Sequence, residues 1–521
     1  MYRKSAASGI AAVVGLLVAT VGVAPAGAVP AAAAATCAGV TTDFNGDGIV
    51  DNVVTDPQAT VDGIPRAGLV RVLYGGGKGV SEISQATPGM GTAAERDDQF
   101  GTAVAWADFN GDGCADLVVG TPYEDTGGSG ADVKDAGFIH IIYGSPTGIG
   151  AGSVMEGFTQ AAFTPGANNE AGDLFGYALQ AGAADNGQPY LVVGVPGEGV
   201  VVNGVNQENA GIIVYQQGGK RTSVSQDSPN VPGVVEAGDQ FGAALAGTNR
   251  YFAVGAPGET IGADAVAAGT VAVFNHTVTD GIPAAIAGMD QAGEGEALTG
   301  IAETGDRFGA ALSMTNYRPA NQTYNSDALL AIGTPGEGIG SVPDAGGVAV
   351  VRIEPSGRVT ELKAFDAGTA NVEGDPGAGD FFGQRVTIAN TNTGVVTSTD
   401  TVRLIVGIPG RDVDGVKDAG VIQLFKPLDS DIGAADKIIK RGSDILPGKP
   451  NPRDFTGISL RSGSVTLYVG VPYSKDPATS KGVLYTMPWT DVDGTTSGGT
   501  KTFQPGSGGL SDIGTSFAAV G

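Results

Sequence analysis

Asp98-Gln99-Phe100-Gly101, then Asp108-Phe109-Asn110-Gly111-Asp112-Gly113-Cys114-Ala115-Asp116, then Leu117-Val118-Val119-Gly120-Thr121-Pro122 follow one another within 25 residues. An acidic residue and a Phe-Gly pair open a small-apolar strand. A polar loop turns the chain, and a second apolar strand runs back to a Gly-x-Pro. The Phe-Gly phrase returns at Asp173-Leu174-Phe175-Gly176, Asp239-Gln240-Phe241-Gly242, Asp306-Arg307-Phe308-Gly309 and Asp380-Phe381-Phe382-Gly383. Weaker copies stand at Asp454-Phe455-Thr456-Gly457 and Ser511-Asp512-Ile513-Gly514. The Gly-x-Pro strand recurs to Pro196, Pro257, Pro335, Pro409 and Pro472, with a degenerate first copy at Asn52-Val53-Val54-Thr55-Asp56-Pro57.

A third phrase, Ala-Gly before an alternating strand, appears at Ala67-Gly68, Ala136-Gly137 and Ala419-Gly420. The polar stretch that follows, such as Gln226 to Gly233, is expected to carry a short outer strand. Each unit therefore supplies four short strands separated by turn residues, with no long 3.6-residue period. Self-similarity at this spacing predicts an all-β propeller, whose radial packing protects strand edges. The first unit lacks a Phe-Gly strand and the last lacks a Gly-x-Pro strand. Joined end to start, Ile513 to Gly521 followed by Thr42 to Asn45 reproduces Phe100 to Asn110. Seven four-stranded blades follow, with the C-terminal strand completing the N-terminal blade.

These phrases resemble the FG-GAP repeat of integrin α-subunit propellers and their bacterial relatives, over nearly the whole stretch from Thr41 onward. The resemblance implies calcium in hairpin loops. Asp43, Asn45, Asp47, Ile49 and Asp51 form one ligand set, and Asp108, Asn110, Asp112, Cys114 and Asp116 the other. Positions 1, 3, 5 and 9 of D-x-N-x-D-G-x-x-D offer side-chain oxygens, and Ile49 and Cys114 offer carbonyls. A hard cation wants six to eight such oxygens. An EF-hand would place Glu at position 12, where Val54 and Val119 stand inside apolar strands. Ala184-Asp185-Asn186-Gly187 and Thr315-Asn316-Tyr317 occupy the same place with too few carboxylates, so two calcium sites are expected.

Composition agrees with such a fold. The 521 residues include 87 glycines and only 6% aromatics, which suits tight turns and close packing. With 29 basic against 55 acidic residues, the net charge of -26 repels nucleic acid and anionic membranes. Arg3, Lys4, the apolar run Ile10 to Val23 and Ala26-Gly27-Ala28 read as a signal peptide over residues 1–28. A short segment, 29–40, then leads into a propeller over 41–521. Ala34-Ala35-Thr36 before Cys37 fits a lipoprotein box poorly, and the later sequence shows no membrane span. Export to the outside or the cell surface, as a monomer, is the expectation. In that compartment Cys37 and Cys114 are expected to form a disulfide, the alternative being two unlinked small residues.

Only His140 and His276 offer neutral-pH bases. His140 sits in an alternating strand, as a packing or surface residue, and His276 at a strand end. Gly514-Thr515-Ser516-Phe517-Ala518 resembles a protease nucleophile box, but the matching Asp and His boxes are absent. Glu198, Glu259 and Glu337 each follow a Gly-x-Pro-Gly, a repeated position that argues for turn chemistry over one catalytic centre. The long insert Ala284 to Glu303 reads as a mobile loop and a seat of specificity. The expected function is recognition of an extracellular protein or glycan. The alternatives are a hydrolase of polysaccharide or lipid head groups, and a passive envelope scaffold.

Overall fold

The computed structural model describes residues 37, 42–127, 133–292, 298–476 and 479–519. The signal-peptide reading of 1–28 and, apart from Cys37, the segment 29–40 lie outside them. Seven antiparallel sheets succeed one another along the chain, six of them four-stranded and the first three-stranded. Blade 1 holds Asn52–Asp56, Leu69–Leu73 and Val80–Ile83. Blade 2 shows the full pattern: Ala103–Ala107, Asp116–Thr121, Phe138–Ile142 and Met155–Phe158, each pairing with the next. Blades 3 to 7 begin at Ala178–Ala183, Ala244–Gly247, Ala311–Tyr317, Arg385–Asn390 and Ser459–Ser462. A small extra hairpin, Val200–Val202 with Val205–Gln207, projects from blade 3.

The second strand of each blade is the core. Asp327–Thr334 and Val402–Ile408 are buried at every position. They touch a neighbouring blade on each face, so they read as continuous apolar runs instead of alternating ones. Phe382 shows how blades join. Its ring lies 5.8 Å from Phe365 and 6.0 Å from Phe425, within one cluster holding Val350, Val406 and Ile408.

Two backbone contacts repeat at each junction. The glycine of the Ala-Gly phrase meets the next blade's Phe-Gly turn in parallel, as Gly137 does with Phe175 and Gly346 with Phe382. Phe100 N–H donates to Ala67 O at 2.9 Å and Phe175 N–H to Ala136 O at 3.0 Å. The glycine of Gly-x-Pro lies against the glycine of the next Phe-Gly. A Cβ built on Gly255 would overlap the carbonyl oxygen of Gly309, and one on Gly194 that of Gly242. A side chain at either position forces whole blades apart, which is the physical content of the repeat.

The ring closes as expected, but four residues further along. Gly482 bridges Phe517, and a Cβ on Gly470 would overlap Ala518 O, so Phe517-Ala518 stands where Phe-Gly stands elsewhere. Ile513-Gly514 does not. Phe517 is fully buried whereas Ile513 is exposed, because only the aromatic ring fills the inter-blade slot. Ala518 N–H donates to Thr55 O at 3.0 Å, placing this segment in the inner position of blade 1. The Asp56 carboxylate accepts from the Thr515 and Ser516 N–H groups at 2.8 and 2.9 Å. Buried Arg71 donates to Ile513 O at 2.6 Å and to Glu82 at 2.7 Å.

Two expectations are corrected. The outer strand of blade 3 is Lys220–Val224, and Gln226 to Gly233 is turns after it, because its prolines and glycine cannot extend a ladder. Ala284 to Met289 belongs to the outer strand Ile282–Met289, whose alternate residues pack under the blade. Residues 293–297 of that insert lie outside the described residues.

Gly255→Ala, whose backbone angle any residue adopts, is expected to destabilise the fold by about 3 kcal/mol through overpacking. Gly262→Ala, with φ +67 but nothing within 4 Å, is expected to cost about 1 kcal/mol. Denaturant midpoints read both, and equal losses would contradict the inter-blade contact as the cause.

Candidate metal centres

The turn between the first and second strands carries the two acidic loops, at one end of the propeller. In the first loop Asp43 is buried and its carboxylate accepts from the N–H groups of Gly46 (2.7 Å), Asp47 (3.2 Å) and Gly48 (2.7 Å). Asn45 Oδ1 accepts from Asp47 N–H, and Asp47 Oδ1 from Ile49 N–H. Asp51, also buried, accepts from Phe44 and Gly75. The second loop repeats most of these bonds. Asp108 accepts from Gly111 and Gly113, Asn110 from Asp112, Asp112 from Cys114, and Asp116 from Phe109 and Gly144. Gly46 and Gly48 hold φ +70 and +80, the left-handed turns that let the loop curl around its own side-chain oxygens.

Burial pushes Asp51 up to about 6 and Asp116 up to about 7, and the charges of Asp43 and Asp47, or Asp108 and Asp112, add to the rise. Each loop thus gathers carboxylates that resist sharing one place without a positive charge. The three carboxylates of each loop do not all stand within 4.8 Å of one another. Backbone N–H groups hold them, and the lone pairs that these bonds leave free would turn toward a cation. This donor set, all hard oxygen, fits calcium. Asp43, Asn45, Asp47, Asp51 and the Ile49 carbonyl would hold one ion. Asp108, Asn110, Asp112, Asp116 and the Cys114 carbonyl would hold the other.

Cys37 and Cys114 form a disulfide across 77 residues, with Cα atoms 4.9 Å apart. Cys37 is wedged between the loops: its N–H donates to Asp112 O at 3.2 Å, and a Cβ on Gly46 would meet its Sγ at 2.6 Å. It therefore ties the two loops to each other.

Elsewhere on this end arginine supplies the positive charge. Arg250 pairs with Asp185, the lone carboxylate of the blade 3 loop, and donates to Asn325 O at 2.9 Å. Arg318 reaches Gly394 O and Thr393 O in the next blade's loop, and Arg403 forks onto Asp493 at 2.7 and 2.9 Å. Sequence reasoning recognised the missing carboxylates but missed the guanidinium groups that supply positive charge there.

A second set of acidic groups sits at the opposite end, between blades. The Asp of each Phe-Gly phrase from Asp98 to Asp454 is buried beside the second residue after Gly-x-Pro of its own blade's second strand. Glu124, Glu198, Glu259 and Glu337 accept from Gln85 (2.5 Å), Gln160 (2.5 Å), Gln226 (2.5 Å) and Gln291 (2.8 Å). Burial, with the partner carboxylate adding to it, pushes Asp173 up to about 7, Asp239 to about 8 and Asp306 to about 7. Burial and Asp98 push Glu124 up to about 8. At the two last junctions an arginine enters instead: Arg411 on Asp380 at 2.5 Å, and Arg441 on Asp454 at 2.9 Å. The signal was in the sequence, since Gln85, Gln160, Gln226 and Arg441 all stand thirteen residues ahead of their Asp. Both histidines are structural. Burial pulls His140 and His276 down to about 4, and His276 bonds Tyr215 and the Thr248 carbonyl at 3.0 Å each.

The folded chain holds the protons of these buried carboxyls more tightly than the unfolded chain, whose carboxyls titrate near 4. Their contribution to stability is therefore complete below pH ~4 and is lost as pH climbs through about 6 to 8. With calcium chelated, the melting temperature is expected to fall across that range, and Glu259→Gln to shallow the fall. A rise from pH 6 to 8 would contradict the assignment.

Residues 43–119 match the FG-GAP-like repeat and residues 100–142 the FG-GAP repeat. Phosphatidylinositol-glycan-specific phospholipase D of Rattus norvegicus is 30% identical over 164 residues, covering 30% of this chain and 18% of that protein. The Mus musculus protein of the same name is 34% identical over 110 residues, covering 21% of this chain and 13% of its own length. The matches thus span under a fifth of these curated relatives. Saccharomyces cerevisiae Sqt1 superposes with a TM-score of 0.39 at 9% identity, over 77% of this chain and 75% of that one. Since the matched repeat recurs in blade after blade until the ring closes on itself, the chain belongs among the FG-GAP propeller proteins.

Proposed function

We propose that this chain is a calcium-binding recognition module that works outside the cell, presenting propeller loops to a protein or glycan ligand. The observation that carries the reading is Cys37, disulfide-bonded to Cys114 and wedged between two loops with equivalent oxygen donors. A structural disulfide belongs to an oxidising compartment, where calcium is abundant. If each loop held calcium with a dissociation constant near ~10 µM at ~1 mM calcium, one ion would stabilise the fold by about 2.7 kcal/mol. The ions then act as rivets for an end of the propeller that arginine holds elsewhere.

Binding is favoured over catalysis by what the ionisable groups already do. His140 and His276 are buried in side-chain packing, and the paired carboxyls are repeated joints between blades. Likeness to part of a phospholipase D supplies the second reading, a hydrolase of lipid head groups, which predicts product release where a binding module predicts none.

Purified protein incubated with cell walls, polysaccharides and matrix proteins is expected to be retained saturably with calcium and released by chelator, with no soluble product. Product formation would favour the hydrolase, and no retention on any surface would leave the scaffold.

A further inference from the structure

The first strands of the blades line an axial channel, and its charge is opposite to that of the chain. Two connected cavities of about 360 and 310 Å³ run along it, sharing Val104, Leu179, Leu245, Leu312 and Arg385. The chain carries 55 carboxylate side chains, yet neither lining contains an Asp or Glu. The charged residues there are Arg385, at the start of the blade 6 inner strand, and Arg461, on that of blade 7.

Among the described residues neither arginine forms an ion pair with a carboxylate, although thirteen other pairs are formed. Arg385 Nε donates to Ile458 O at 3.3 Å, and the Arg461 guanidinium lies 3.7 Å from the centre of the Trp106 ring. These contacts use one of the ten N–H donors that the two guanidinium groups carry. Asp51 lines a small cavity on the far side of Arg461, but its carboxylate is taken by Phe44 and Gly75. The other ionisable neighbours are the phenols Tyr177 and Tyr468. Burial lowers both guanidinium groups, Arg461 to about 10, as expected of cations enclosed without a counter-charge.

Both side chains are half-buried, and a cavity that keeps two cations while excluding carboxylates is poised for an external anion. Guanidinium forks bind oxyanions through paired N–H···O bonds. Between them Leu179, Leu245 and Leu312 stand beside polar groups, Gln180 and Ser313 among them, and the Thr387 and Ser462 hydroxyls bond each other at 2.6 Å.

We infer that the axial channel is a binding site for a small oxyanion, held by Arg385 and Arg461. The shared chemistry is a carboxylate or a phosphate or sulfate group, and the inference stands independently of the calcium loops and of the extracellular ligand.

Calorimetry on the full chain in 1 mM calcium, with hexanoate and with sulfate as probes at fixed ionic strength, tests it. Trp106 emission is a second readout, since its ring lies against Arg461. One saturable site is expected, with at least tenfold weaker binding in Arg385→Gln and in Arg461→Gln, and partial recovery in Arg385→Lys. Circular dichroism and melting confirm that each variant is folded. Tighter hexanoate identifies the organic carboxylate, and sulfate alone identifies the phosphate or sulfate class. No saturable heat with either probe, or equal binding in the folded arginine variants, would overturn the inference.

Discussion

Everything in this molecule depends on how closely one blade's backbone approaches the next. Gly120, Gly194, Gly255, Gly333 and Gly407 each lie against the Phe-Gly turn of the following blade, where a Cβ would overlap a carbonyl oxygen. That approach sets the spacing of the ring. It also seats each phenylalanine in a slot sealed by strands of two blades. A seven-membered ring multiplies any error in this distance, so the glycines recur where the outer strands vary freely in length and composition.

The same constraint creates an electrostatic problem that the chain solves in three ways. At the inter-blade joints, carboxyl pairs are buried and keep protons, or an arginine enters as at Asp380 and Asp454. At the opposite end, arginines from blades 4, 5 and 6 bridge neighbouring loops. Blades 1 and 2 have no such arginine on their loops and carry the crowded oxygen sets instead, with the disulfide between them. A divalent cation would be the natural counterpart of those arginines there.

The sequence made the fold legible because the constraint acts on identity: glycine stands at six Gly-x-Pro contacts, and an aromatic ring fills every inter-blade slot except the one that Thr456 takes. Blade number and the order of phrases were readable for that reason. The closing register was misjudged because Ile513-Gly514 preserves the glycine while Phe517-Ala518 preserves the ring, and burial of the ring decides. Outer strands such as Lys220–Val224 were obscure since they pair along one edge and half their residues face solvent. Arg250, Arg385 and Arg461 act through neighbours brought close only by the ring, and nothing in their local sequence announces that.

The central claim, that the two loops are calcium sites and the other blades are riveted by arginine, comes down to a count. Native mass spectrometry of the full chain in calcium, compared with Asp43→Asn and Asp108→Asn, makes that count directly. The account predicts two calcium ions on the parent chain and one on each variant. A parent chain carrying none, or a count unchanged by either substitution, would contradict it.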